Sequence, residues 1–221
     1  MSTPVRAVSL VDALAAELRS AIFRGELAPA RPVSETSLAR RYDVARPSVR
    51  AALQSVVADG LLRREPNRSV YVPRLDVDDV RDLFGLRRLV ELDATRTLVD
   101  GRARPTAMWR ALRGLEALTD GDGWDEVATQ DFALHQALVD AAGSPRMSRV
   151  YAGIADEVRL AITQLRPAYS SPREIAAEHR VLVEAISSGD RKRALDTVRQ
   201  HLDESERILV DQLTPLERPR P

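Results

Sequence analysis

The 221-residue chain has no cysteine, which excludes disulfide frameworks and thiolate metal sites and makes a cytoplasmic location the expectation. Aromatic residues are scarce, at 4% of the chain, and no apolar run approaches the roughly 20 residues that cross a membrane. A membrane partner is therefore not expected. The opening "MSTPVRAVSLVDALAAEL" lacks the unbroken apolar core of a signal peptide and turns amphipathic by Leu10. Net charge is absent as well, with 33 basic residues against 33 acidic ones. What remains is 44% hydrophobic, rich in Ala, Leu, Val, Arg and Glu, and long enough for one large or two small, mostly helical domains. The charge is unevenly spread. Residues 1–74 hold 12 arginines against 7 acids, leaving 21 basic and 26 acidic residues in the remainder. A basic front on an acidic body suggests a polyanion partner at the N-terminus.

From Val8 to Phe23 the apolar residues Val11, Leu14, Ala15, Leu18 and Ile22 follow a helical period, ended by Gly25, and "ELAPARP" reads as a loop. Ser34 is placed to cap a short helix through Arg41. The turn "YDVA" leads into a helix from about Arg46 to Ala58, closed by Gly60. "LLRREPNRSVYVP" then reads as two short strands around a Pro-Asn turn. This order is a winged helix-turn-helix. In the third helix Val49, Leu53, Val56 and Val57 form the apolar stripe, while Arg46, Arg50 and Gln54 form an i, i+4 row that the core cannot use. On an arbitrary helix such a row is a solvated face. Here it opens the second helix of a helix-turn-helix, where arginine can clamp guanine or grip phosphate, and Arg68 stands at the tip of the hairpin that follows.

"LVDALAAELRSAIFRGEL", "SLARRYDVARPSVRAALQSVVADGLL" and "NRSVYV" resemble the DNA-binding domain of GntR-family transcriptional regulators, over about residues 8–74. The resemblance implies that Arg46 and Arg50 contact operator DNA, together with Pro47 and Ser48 between them. Three positions depart from the family. Ala45 stands where a Ser or Thr usually caps the helix, Ala30 replaces a common loop glycine, and Ser69 replaces the usual wing glycine. A bulkier wing tip weakens the expectation that Arg68 reaches deeply into the minor groove.

After Pro73 the pattern is helical throughout, with helices expected at about 76–99, 104–119, 123–142, 145–166, 172–187 and 190–213 and turn signals between them. The chain thus divides into a winged helix-turn-helix over 1–74, an all-α bundle over 75–213, and a tail over 214–221. The chain has only three histidines, His135, His179 and His201. A lone histidine on an apolar face is ordinarily a satisfied core residue. Here Asp131 and His135 share one helix face within the row Val127, Leu134, Leu138 and Ala142, His179 lies within Ile175, Leu182, Val183 and Ile186, and His201 within Ala194, Val198 and Leu202. Counted from Gly189, His179 and His201 stand at about the same height in an antiparallel hairpin, about 15–18 Å from the turn. All three imidazoles and one carboxylate can therefore converge on one buried spot, a donor set that suits a borderline divalent ion such as zinc or nickel.

"RRLVELDATRTLV", "DFALHQALVDAAGSPRM" and "EHRVLVEAISSGDRKRALDTVRQHL" resemble the FCD effector-binding domain of the FadR subfamily of GntR regulators, over about residues 77–213. The resemblance implies metal ligands at Asp131, His135, His179 and His201, a pocket that holds a carboxylate-bearing metabolite, and a role for Arg87 in that pocket. Leu134 replaces an aromatic and Ser144 a frequent asparagine, and neither change removes a ligand. An i, i+4 ion pair with Glu91 is the plainer reading of Arg87, worth only tenths of a kcal/mol at a surface. The resulting expectation is a metabolite-responsive regulator, most often a repressor in this subfamily, acting as a homodimer on a palindromic operator. Two alternatives stand beside it: a DNA-binding regulator whose metal is purely structural, and a metalloenzyme with a DNA-binding front. No histidine is left over as a general base for the latter, so an enzyme is not expected.

Overall fold

A computed structural model describes residues 9–64, 69–101, 104–164 and 171–217. The chain divides into two compact units, Met1–Arg74 and Leu75–Pro221.

The first unit begins with α1 (Leu10–Phe23), whose N-cap Ser9 accepts from the Asp12 amide. The short helix α2 (Glu35–Tyr42) is capped by Ser34 through the Ser37 amide, as the sequence predicts. It ends at Asp43 in the left-handed conformation (φ 51°), and the turn leads into α3 (Arg46–Ala58). Ala45 supplies no side-chain cap to α3, but Pro47 pre-sets the first turn. The helices α1 and α2 both pack on α3, burying Leu14, Leu18, Leu38, Val49, Leu53 and Val56. Ala52 is buried in the α3 stripe, whereas Val57 is only half-buried. Arg19 of α1 donates to Asp59 Oδ2 (3.0 Å from Nε) and to Ser55 Oγ (3.2 Å), tying α1 to the C-terminal end of α3. β1 (Arg63–Arg64) and β2 (Val70–Tyr71) pair antiparallel, and the tip between them, with Arg68, lies outside the described residues. The loop after α1 is tied to the hairpin by backbone bridges at Pro29–Val72 and Pro32–Tyr71. To make those bridges Ala30 adopts φ 60°, a conformation that glycine takes without the Cβ penalty.

The second unit is all-α: α4 (Val77–Asp100), α5 (Thr106–Glu116), α6 (Trp124–Ala141), α7 (Pro145–Ala152), α8 (Ala155–Gln164), α9 (Pro172–Ser187) and α10 (Arg191–Glu217). A capping box between Asp76 and Asp79 starts α4. α4 packs against α10 and α6, α5 against α6 and α9, and α9 against α10. The sequence reading of one helix over 145–166 is corrected here, because the chain breaks at Gly153 and Ile154 into α7 and α8. The Gly153 amide bonds back to Arg149 and Val150, closing α7. Ser144, in place of the frequent asparagine, caps α7 by accepting from the Met147 amide. α10 continues to Glu217, past the end at 213 that the sequence predicts, with Leu213 buried and the Thr214 hydroxyl bonded to the Val210 carbonyl. The core is aliphatic, drawn from Leu98, Leu112, Leu134, Leu138, Leu182, Val198 and Leu202 among others. Within it lie the buried polar groups of α4, α6 and α9: Arg87, Glu91, Thr95, Asp131, His135 and His179.

Candidate functional site

Polar groups taken out of water are costly unless partnered, so five of those six residues require an account. α6 delivers Asp131 and His135 from one face, α9 delivers His179, and α10 delivers His201, which is half-buried as a residue. The His135 and His179 Nε2 atoms are 3.2 Å apart, and His135 and His201 Nε2 are 3.3 Å apart. Ligand atoms of all three histidines lie within 4.8 Å of one another. Asp131 Oδ1 sits 3.0 Å from His179 Nε2, while Oδ2 is buried without a partner. The structure thus brings the three predicted histidines together and sets the fourth predicted ligand, Asp131, against His179.

The outer ring nitrogens settle the chemistry of the inner ones. His179 Nδ1 lies 2.7 Å from the Ile175 carbonyl, and His135 Nδ1 lies 2.7 Å from Glu91 Oε2. The Ile175 carbonyl and an ionised Glu91 only accept, so both Nδ1 atoms carry hydrogen, and the Nε2 atoms meet each other and the Asp131 carboxylate. Such a cluster of lone pairs needs a positive species at its centre, either a proton or a cation. Imidazole nitrogens bound tetrahedrally to zinc at ~2.0–2.1 Å stand about 3.3 Å apart, close to the observed spacing, so the donor set and its geometry fit a divalent ion.

The electrostatics follow the same geometry. Burial disfavours the charged form of Asp131, but the neighbouring His179, through its charge and hydrogen bond, outweighs this and holds the carboxyl below the usual carboxylate range. Burial likewise acts to lower His179, and Asp131 outweighs it, leaving His179 raised. Burial of the His201 ring, reinforced by His179 and His135, pushes it well below its ordinary value and keeps it neutral.

Arg87 is placed differently from its plainer reading. Its Nε donates to Glu91 Oε1 (2.9 Å), but both side chains are essentially fully buried, at 3% and 0% exposed, so the pair is not a surface one. The Phe84 ring lies 4.9 Å from its guanidinium carbon, and Nη2 is buried without a hydrogen-bond partner. A buried, unpartnered donor on a fixed cation is a ready contact for an anion. Sequence reasoning missed Glu91 as a site residue and missed Tyr151, whose hydroxyl donates to Glu91 Oε1 (2.6 Å). The i, i+4 spacing of Arg87 and Glu91 was the available signal, and only the burial of that face of α4 distinguishes it from a surface pair.

In the first unit Arg46, Pro47 and Arg50 are exposed at the start of α3 and Ser48 is half-buried. Arg50 is not free: Nη2 donates to Glu35 Oε2 (3.0 Å) and Nε to Oε1 (3.3 Å). Its hydrogen bond to Arg50 holds Glu35 below its ordinary value, with Arg46 and Arg64 also contributing. Glu35, Ser34, Thr36, Arg46, Arg64 and Ser69 line one polar cleft between the start of α2 and the hairpin. Nothing in the sequence spacing links Glu35 to Arg50.

The FCD domain family matches residues 82–204, and the family "Bacterial regulatory proteins, gntR family" matches residues 10–72. An uncharacterized HTH-type transcriptional regulator, BphR, of Paraburkholderia xenovorans (strain LB400) is 30% identical over 212 residues, covering 89% of this chain and 84% of that one. The gluconate operon transcriptional repressor of Bacillus subtilis (strain 168) is 22% identical over 198 residues, covering 86% and 81%. The crystal structure of a GntR transcriptional regulator from Rhodococcus sp. RHA1 is similar in fold, with a TM-score of 0.75 at 24% identity, covering 91% of this chain and 97% of that one. The chain belongs to the GntR family of bacterial regulators and carries an FCD domain. It is a DNA-binding transcriptional regulator, and its relatives are regulators rather than enzymes.

Proposed function

We propose that the protein is a metabolite-responsive repressor of the FadR subfamily, acting as a homodimer on a palindromic operator. Residues 1–74 read DNA: Arg46 and Arg50 contact bases or phosphates in the major groove, with Pro47 and Ser48 against the backbone between them. Arg68, at the wing tip, adds a contact in the adjacent groove. Residues 75–213 sense a small carboxylate. The observation that carries this reading is the buried cluster of three Nε2 lone pairs and Asp131, with the unpartnered Nη2 of Arg87 in the same domain.

Asp131, His135, His179 and His201 would hold zinc or nickel, and such an ion supplies Lewis-acid affinity for a carboxylate oxygen. Arg87 Nη2 donates to the effector carboxylate, satisfying its own buried hydrogen. Asp131, through its Oδ2, and the neutral His201 would add donors that need lose no proton to bind the ion. The apolar residues around the cluster exclude water and strengthen each of these contacts. Similarity to a repressor of a gluconate operon agrees with a carboxylate as the sensed class. An effector alters DNA binding only to the extent that it binds the two arrangements of the dimer with different affinity.

A thermal-shift screen of zinc- and nickel-loaded protein against mono-, di- and hydroxy-carboxylic acids tests the proposal. A ligand at 100 times its dissociation constant adds about 2.7 kcal/mol of stability, and the shift should vanish in His179→Ala. Bound metal with no response across the panel would leave a structural ion and overturn the sensing role.

A further inference from the structure

Glu91 is fully buried on α4 and receives three donors: the Arg87 Nε (2.9 Å) and Tyr151 hydroxyl (2.6 Å) on Oε1, and the His135 Nδ1 (2.7 Å) on Oε2. Only an ionised carboxylate can accept at both ends, since an amide offers one accepting and one donating end. The Tyr151 ring is fixed in turn by stacking on Phe132, with centroids 5.3 Å apart. Glu91 Oε2 is the partner of the outer nitrogen of His135, whose Nε2 faces the other two histidines. A neutral imidazole chooses between two tautomers, and in this ring the choice decides whether Nε2 presents a hydrogen or a lone pair to His179 and His201.

We infer that Glu91 is a positioning residue. It locks His135 in the Nδ1–H tautomer, so that Nε2 enters the cluster as a lone-pair donor, and through its other oxygen it fixes Arg87. One carboxylate therefore sets both the ligating nitrogen of His135 and the orientation of the anion-binding arginine. Partners that fix the outer nitrogen of a ligating histidine contribute 10–100-fold to metal affinity where they have been removed. The coupling to metal rests on the proposed metal site, whereas the tautomer does not.

The test uses full-length protein and two readouts. Long-range proton–nitrogen NMR of the metal-free wild type should find His135 as Nδ1–H. Zn²⁺ affinity, from competition with a chromophoric chelator, should fall roughly 10–100-fold in Glu91→Gln. There the amide oxygen faces the two donors Arg87 and Tyr151, the amide nitrogen faces His135, and the ring turns to the Nε2–H form. Tyr151→Phe, which leaves the carboxylate in place, should keep both the tautomer and the affinity. An Nε2–H tautomer at His135 in the wild type would overturn the inference, and so would Glu91→Gln binding Zn²⁺ within about threefold of wild type. If Glu91→Gln does not fold, the wild-type tautomer decides alone. If the wild type binds no Zn²⁺, the metal reading falls while the tautomer result stands separately.

Discussion

Arg50 and Glu35 face each other across the helix-turn-helix, with Nη2 3.0 Å from Oε2 and Nε 3.3 Å from Oε1. Arg50, at the second turn of α3, is thus held side-on, through Nε and Nη2, by an acid from the first turn of α2. On the proposed reading, Arg50 reaches DNA either by the guanidinium edge left free or by exchanging Glu35 for a base or phosphate. Arg50→Ala should cost about 1–3 kcal/mol on an operator selected from a random duplex library. Glu35→Gln removes a charge that repels phosphate and releases Arg50. It should therefore tighten binding to random-sequence DNA, steepen the salt dependence by about one ion, and lower the ratio of specific to non-specific affinity. Fluorescence anisotropy at several salt concentrations measures all three, and an unchanged ratio would remove Glu35 from DNA recognition.

The raised His179 would give the proposed metal binding a pH dependence of defined sign. In the metal-free protein Asp131 retains a proton on His179 above the ordinary imidazole value. The stability from that pairing is fully present below about pH 6.5, the unfolded value, and is lost as pH rises through the folded value. A divalent ion must displace this proton, so Zn²⁺ affinity should fall as pH drops through that range, with protons released on binding wherever His179 is still charged. Calorimetric titration in two buffers of different ionisation enthalpy counts the protons. Release of none would mean that the cluster is already deprotonated.

Ala30 tests the loop that carries the hairpin. Its φ of 60° costs a residue with a Cβ roughly 1–2 kcal/mol, against about 0.5–1 kcal/mol of added unfolded-state entropy for glycine. Its amide donates to the Val72 carbonyl at 2.8 Å, a bond glycine also makes. Ala30→Gly should stabilise the DNA-binding unit by roughly 0.5–1 kcal/mol in urea denaturation. A loss of stability would show that the left-handed conformation is not strained here.

The histidine cluster was legible because its parts obey spacing rules. Asp131 and His135 are four apart on one helix, and His179 and His201 stand at matched distances on either side of the Gly189 turn. The rings of His179 and His201 are 4.7 Å apart, as that register predicts. The helix-turn-helix was legible for the same reason, its caps and turns being local. Glu91 was not, because an i, i+4 Arg–Glu pair looks identical on a solvated face and on a buried one, and α4 is polar enough to suggest the former. Glu35 was missed because its partner is fifteen residues away on another helix. The break between α7 and α8 was hidden by an apolar period that runs through Gly153, which keeps right-handed dihedrals (φ −66°), so neither a left-handed residue nor a proline marks the turn.

Arg87 separates sensing from folding. Truncating it to alanine would leave Glu91 charged and buried with less compensation, at a cost of about 3–5 kcal/mol, so loss of response in that variant would be uninformative. Arg87→Lys retains a cation that can reach the Glu91 carboxylate but removes the planar fork and its Nη2. The variant should fold, keep Zn²⁺ affinity close to wild type, and lose most of the thermal shift produced by a carboxylate hit. Its DNA binding should no longer respond to that compound, while binding without effector is unchanged. A variant that still responds fully would place the effector contact elsewhere and leave Arg87 as a buried counter-ion to Glu91.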